Sequence, residues 1–202
     1  MGAGARLSQG ETAVRMSLRR SWETLLLVVI LALAAALRLY GLNWDDGHWL
    51  HPDERQIYFV TAELGWPSSL AEALSPDSPL NPGFFAYGSF PFYLLKVVAA
   101  LLAAFWPVLR DPDNLHLAGR PLAVLFDLGT VYLTYRLVRC LWSELPAGEI
   151  DADGQAAAGR RAGLVAALLV GLSVLNIQLA HFYTPEPLLT FFVLLTLNLA
   201  AG

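Results

Sequence analysis

Of 202 residues, 56% are hydrophobic and 15% charged, with a mean hydropathy of +0.50, a balance that excludes an ordinary soluble domain and points to a polytopic membrane protein. The formal charge of -4 implies no polyanion partner, so no nucleic acid is expected. The single cysteine, Cys140, rules out an intrachain disulfide framework or a Cys-based zinc site; at the end of an apolar run it reads as a buried or lipid-facing small residue.

In chain order, residues 1–21 form a basic tail, with Arg6, Arg15, Arg19 and Arg20 against Glu11. The apolar run 22–40 is long enough to span a bilayer and ends without a small-residue cleavage pattern, so it is read as an uncleaved first span. Its basic flank places the N-terminus in the cytoplasm. Trp22 and Tyr40 bracket this span as interfacial aromatics, and Arg38 is expected to snorkel to the headgroups rather than turn inward to Asp53 or a phosphate.

The stretch from Asn43 to Tyr58 gathers Asp45, Asp46, His48, His51, Asp53, Glu54 and Arg55 at the lip of the bilayer. Adjacent carboxylates at Asp53 and Glu54 raise one another's pKa unless a cation, a metal or a proton sits between them. Glu54 to Leu64 has no breaker and predicts a short helix, with both carboxylates in its first turn near the positive end of the dipole. His48 and His51 with Asp53 have the donor types of a zinc site; the preferred expectation is that His51 packs on Trp49 and caps the loop before Pro52.

Between Pro91 and Pro107 an unbroken helix of residues 92–106 is expected, roughly 22 Å long against a hydrocarbon core of about 30 Å. Such a helix lies in the interface or re-enters. The charge bias agrees: a non-spanning segment leaves Arg6, Arg15, Arg19, Arg20, Arg136, Arg139, Arg160 and Arg161 inside, against Arg55, Lys96, Arg110 and Arg120 outside. Residues 41–120 are therefore read as one extracytoplasmic loop with interfacial helices, 121–141 as the second span and 142–161 as a flexible cytoplasmic connector. Residues 162–180 are the expected third span, 181–187 a short extracytoplasmic loop and 188–202 an incomplete fourth span, as at the front of a longer protein. Asp127, inside the second span, reaches either a functional path or a neighbouring helix. The aromatics from Phe84 to Tyr93 suit a sugar or prenyl groove and an interfacial belt equally well.

Four motifs occur in order: R-L-Y-G-L (38–42), H-P-D-E (51–54), F-A-Y-G-S-F-P-F-Y-L-L (85–95) and H-F-Y-T-P-E-P-L-L-T-F-F (181–192). Together they resemble the N-terminal part of bacterial polyprenyl-phosphate-dependent glycosyltransferases of the GT-C superfamily, of the protein O-mannosyltransferase and aminoarabinose transferase type. The resemblance covers nearly the whole chain from Trp22. It implies an all-α polytopic module in the bacterial plasma membrane that moves a sugar from a polyprenyl-phosphate carrier to a lipid, glycan or protein acceptor at the outer face. By match, Asp53 and Glu54 form the first acidic site and Glu186 the second; Glu between two prolines departs from the family's usual Asp followed by Pro or Thr. Basic residues near the first pair hold the donor phosphate in that family, for which Arg55, Lys96 and His181 are the candidates here.

The chemistry fits these residues independently. Transfer needs a base for the acceptor hydroxyl and positive charge at the leaving phosphate; Asp53 is assigned as that base or as the group that orients the acceptor, and Arg55 as the phosphate partner. Glu54 and Glu186 are supporting carboxylates, and with Asp53 their hard oxygens suit magnesium or manganese. Two other readings stay open: a non-catalytic membrane protein that binds lipid-linked sugar, and a transporter fragment with Asp127 and Lys96 on its path.

Overall fold

The computed structural model describes residues 3–144 and 151–202, with side chains from residue 21 onward. The side chains of Arg6, Arg15, Arg19 and Arg20, and residues 145–150 of the expected connector, lie outside the described residues. Among the described residues the chain is 72% helix and has no strand.

The first helix, α1 (Ala3–Leu39), is stopped by Gly41, whose φ of +66° is the left-handed turn that side chains resist. Its segment Ser21–Leu39 is long and apolar enough to cross a membrane, and it leaves Leu25, Val28, Val29 and Leu33 bare at 44% to 62% exposure. A continuous bare apolar face of this kind matches hydrocarbon rather than water.

The chain then forms α2 (Pro52–Glu63), α3 (Leu70–Ala73) and α4 (Phe90–Leu102), followed by 3₁₀ turns at Pro107–Arg110 and Pro112–Asn114. The α2 start is built locally. His51 is extended and accepts from the Glu54 amide through its ring, and Pro52 takes the first helical position, where its missing N–H costs nothing. The helix expected at 92–106 instead runs from Phe90 to Leu102, because Pro91 fits the first turn and the chain tightens into turns after Leu102. At 13 residues, about 20 Å, it is too short to cross a bilayer alone.

The second membrane-length segment is Pro112–Ser143, most of which is α5 (His116–Ser143). It packs chiefly against α6 (Ala152–Gly171) and α8 (Pro185–Ala201), and also against α1. Close approach of α5 and α6 depends on Gly163: a Cβ there would lie 2.8 Å from the Tyr135 carbonyl oxygen.

Three expectations are corrected here. The connector expected at 142–161 is helical from Ala152, capped by the Asp151 carboxylate accepting from the Gly154 amide. The expected span 162–180 is divided, since α6 ends at Gly171 and α7 (Val174–Leu179) starts afresh after Ser173. Arg38 does not snorkel. It is fully buried, paired with Asp127 on α5, and donates to the carbonyls of Ala34 and Gly171 at 3.1 and 2.8 Å. A guanidinium so placed satisfies the carboxylate and the freed carbonyl at the end of α6 together.

The 41–115 region shares its core with the end of the bundle. Ile57, Tyr58, Phe92 and Leu95 are fully or almost fully buried against Ala118 and Ala123 of α5 and against Tyr183 and Leu188 at the start of α8. This junction sets the position of the acidic residues.

Candidate functional site

At the junction stands Arg120, 1% exposed, between two buried carboxylates. Its Nε and Nη2 donate to Glu54 Oε1 and Oε2 at 2.9 and 2.7 Å, while Nη1 and Nη2 donate to Asp45 Oδ1 and Oδ2, each at 2.8 Å. A further bond from Nη1 reaches the Leu42 carbonyl at 3.1 Å, and the guanidinium lies 5.7 Å from the Trp44 ring. One side chain of α5 thus fixes the loop after α1 and the first turn of α2.

Asp45 also accepts from the amides of Gly47 (3.2 Å) and Leu50 (3.1 Å). Those bonds hold a tightly wound loop in which Asp46, Gly47 and Trp49 all have positive φ. Burial by itself raises the Asp45 pKa; the bonds from Arg120, Leu50 and Gly47 and the Arg120 charge outweigh it and keep the carboxyl well below the usual carboxylate range.

Glu54 is 0% exposed. Besides Arg120 it accepts from Tyr58 Oη at 2.7 Å and from the Tyr183 amide at 3.0 Å. Burial first, then the Glu54 charge and hydrogen bond, raise the Tyr58 phenol well above its ordinary pKa, so it serves as a permanent donor. Tyr183 Oη in turn donates to the Pro91 carbonyl at 2.9 Å. Through Glu54 and Tyr183, the 51–54 and 181–187 segments and the start of α4 are held in one place. Gly119 makes room for this: a Cβ at that position would lie 2.9 Å from Tyr58 Oη and 3.0 Å from Tyr183 Cβ.

Asp53, next in sequence, faces the other way. It is half-buried, and its Oδ1 accepts from Tyr87 Oη at 2.8 Å. Exposed Glu186 lies within electrostatic range of the same phenol. The hydrogen bond to Asp53, burial, and the charges of Asp53 and Glu186 together raise the Tyr87 pKa. The structure therefore brings Asp53 and Glu186 to one rim.

The other assigned residues part company with that rim. Glu54 is corrected from an open carboxylate to an internal one: its acceptor positions are filled by Arg120, Tyr58 and Tyr183. Lys96 borders the cavity beside Thr61 and Ala62, so it sits toward the opposite end of α2 from Asp53, about 12 Å away along the helix axis. His181 has Nδ1 2.7 Å from the Ile177 carbonyl and Nε2 2.9 Å from the Tyr40 carbonyl, which occupies the ring with backbone rather than phosphate. His51 caps α2 as expected but packs on Phe182, with ring centroids 4.2 Å apart, while Trp49 packs on Tyr58 and Phe59. Arg55 is exposed beside Asp53 on α2.

A metal held by Asp53, Glu54 and Glu186 does not fit this arrangement. Among the described residues no three His, Cys, Asp or Glu side chains come together as a ligand set, and both Glu54 oxygens accept internal hydrogen bonds in a fully buried side chain. The same observation removes the His48, His51 and Asp53 zinc set. Of the two readings open for Asp127, the neighbouring helix holds: it pairs with Arg38 on α1.

Sequence reasoning gave no site role to Tyr58, Arg120 or Tyr183, and named Asp45 only within the acidic stretch and Tyr87 only among the aromatics. Arg120 carried a signal, a lone cation where a long apolar helix begins, which asks for a buried partner.

Among the described residues, fold and site together define an all-helical arrangement with two membrane-length helices and an ion-paired junction that supports an acidic rim. No protein-family model matches the chain, and no curated protein or solved structure matches it either.

Proposed function

We propose that the chain is a multi-pass bacterial plasma-membrane glycosyltransferase of GT-C type, with a cytoplasmic N-terminus. It transfers a sugar from a polyprenyl-phosphate carrier to an acceptor hydroxyl at the extracytoplasmic rim. The observation that carries this reading is the meeting of Asp53 and Glu186 around Tyr87, on a base tied together by Glu54 and Tyr183. A rim of half-open carboxylates on a rigid base is what proton abstraction from a hydroxyl needs.

Asp53 takes the proton of the acceptor hydroxyl as that oxygen bonds to the anomeric carbon. The bond from that carbon to the carrier phosphate breaks, and its electron pair leaves with the phosphate. Arg55, exposed one position on, supplies the positive charge that the departing phosphate needs. Tyr87 orients Asp53 through its 2.8 Å bond, and Glu186 orients the acceptor. Glu54 and Arg120 act one layer below, as positioning residues.

The test uses membranes containing the full chain and a radiolabelled polyprenyl-phosphate sugar, with release of polyprenyl phosphate as the readout. Asp53→Asn is expected to lower turnover by about 100-fold or more, with folding unchanged by thermal melting. Turnover of the unaltered chain no faster than that of Asp53→Asn overturns the proposal, and donor retention without turnover leaves a binding protein in its place.

A further inference from the structure

A second site lies at the far end of α2. Between α2, α4 and the Pro107–Arg110 turn is a cavity of about 250 Å³, walled by Thr61, Ala100 and Ala103, with Trp66, Lys96 and Arg110 at its border. Among the described residues neither Lys96 nor Arg110 makes a hydrogen bond or ion pair through its side chain. Two cations therefore face one small cavity with no anion between them. Burial lowers the Lys96 pKa, as expected for an ammonium set among alanines without a counter-charge. Thr61, fully buried in the same wall, has an Oγ1 without a partner, and a buried hydroxyl left unpaired is uncommon.

The chain that runs between the lining residues Ala103 and Leu109 bares Phe105 and Trp106 at 90% and 49% exposure, and Leu101 just before it is 65% exposed. The cavity thus combines three features: cations at its border, a volume below that of a drug-sized ligand site, and an apolar ridge outside. Inorganic phosphate leaves the ridge without an occupant. A neutral lipid leaves the cations without a counter-charge.

We infer that this cavity binds the phosphate-bearing headgroup of an anionic membrane phospholipid, with Lys96 and Arg110 on the phosphate and the acyl chains lying along the ridge from Leu101 to Trp106. The ligand is a structural lipid distinct from the sugar donor, because the cavity is lined by the opposite end of α2 from Asp53. Trp66, 61% exposed at the mouth, marks the headgroup level.

The test is native mass spectrometry of the full chain in detergent, titrated with phosphatidylglycerol, phosphatidylcholine or inorganic phosphate. Phosphatidylglycerol is expected to bind roughly tenfold more tightly than phosphatidylcholine, the discrimination of about one charge-assisted contact. Lys96→Gln with Arg110→Gln is expected to erase that preference, whereas Arg136→Gln with Arg161→Gln, an equal change of charge on α5 and α6, leaves it intact. Ala100→Phe fills the cavity while keeping both cations and is expected to lose phosphatidylglycerol as well. Circular dichroism and melting of each variant separate lost binding from lost fold. Equal binding of the two lipids, retention by the double variant, retention by Ala100→Phe, or full competition by millimolar inorganic phosphate would each overturn the inference.

Discussion

We predict that Arg120→Met converts the most fully bonded point of the junction into its weakest. The guanidinium makes two bonds to Glu54, two to Asp45 and one to Leu42, all between 2.7 and 3.1 Å. Both carboxylates are buried, at 0% and 5% exposure. Removing one partner from a buried charge pair costs about 3–5 kcal/mol, since the remaining charge has no water to turn to. Here two carboxylates lose the same cation, which places the loss at the upper end of that range and close to the total stability of a marginal domain.

The pH dependence should reverse with it. In the unaltered chain Asp45 has a depressed pKa, so its contribution is present above the unfolded value and is lost as pH falls toward the folded value, in strong acid. In Arg120→Met the stranded carboxylates favour the protonated form, so that variant gains stability as pH falls. The assay is thermal melting of the detergent-solubilised chain by tryptophan fluorescence from pH 2 to pH 8. A further variant, Arg120→Met with Asp45→Asn and Glu54→Gln, removes the charges with the cation and should recover most of the loss. A loss below about 1 kcal/mol, or a pH slope of the same sign as the parent's, refutes the reasoning; such a value belongs to exposed pairs.

Three further outcomes are expected. Gly119→Ala presses a methyl against Tyr58 Oη and Tyr183 and should destabilise by about 1–3 kcal/mol in the same melting assay. Tyr87 should titrate above the ordinary tyrosine range in an ultraviolet difference titration of the parent against Tyr87→Phe, and Asp53→Asn should bring that titration down, because the hydrogen bond to Asp53 is the largest cause of the rise. Either Asp127→Leu or Arg38→Met alone should destabilise by about 3–5 kcal/mol, whereas the double variant should lie near the parent; additive losses would show that the two residues do not act as a pair.

Much of the helix plan was legible because breakers and apolar runs are local signals. Pro52 and His51 mark the start of α2, and the Ser21–Leu39 run carries its own length. The division of residues 162–180 was less legible, since nothing as strong as a proline marks the break at Leu172 and Ser173. The acidic rim was visible as composition, but the fate of each acid was not. Arg38 and Arg120 have the same side chain near opposite helices, and snorkelling and burial leave the same trace in one sequence. Only the packing of α1, α5 and α6 decides that Arg38 meets Asp127 and Arg120 meets Asp45 and Glu54.

The adjacent carboxylates Asp53 and Glu54 raise a physical question that the fold answers by direction. Successive helix positions point about 100° apart, so a pair that would repel on a flat surface can be sent to two environments. Glu54 turns inward, where Arg120 neutralises it and Tyr58 and Tyr183 fill its remaining acceptor positions. Asp53 turns outward to Tyr87, a neutral donor that orients it without cancelling its charge. The inner carboxylate thereby fixes the helix turn from which the outer one projects. Its ion pair contributes less as net stability, which desolvation erodes, than as a fixed angle for Asp53 relative to Glu186. A substitution that keeps the charge of Glu54 but shortens it, Glu54→Asp, therefore acts on the rim by drawing the first turn of α2 toward Arg120, even though residue 54 never meets solvent.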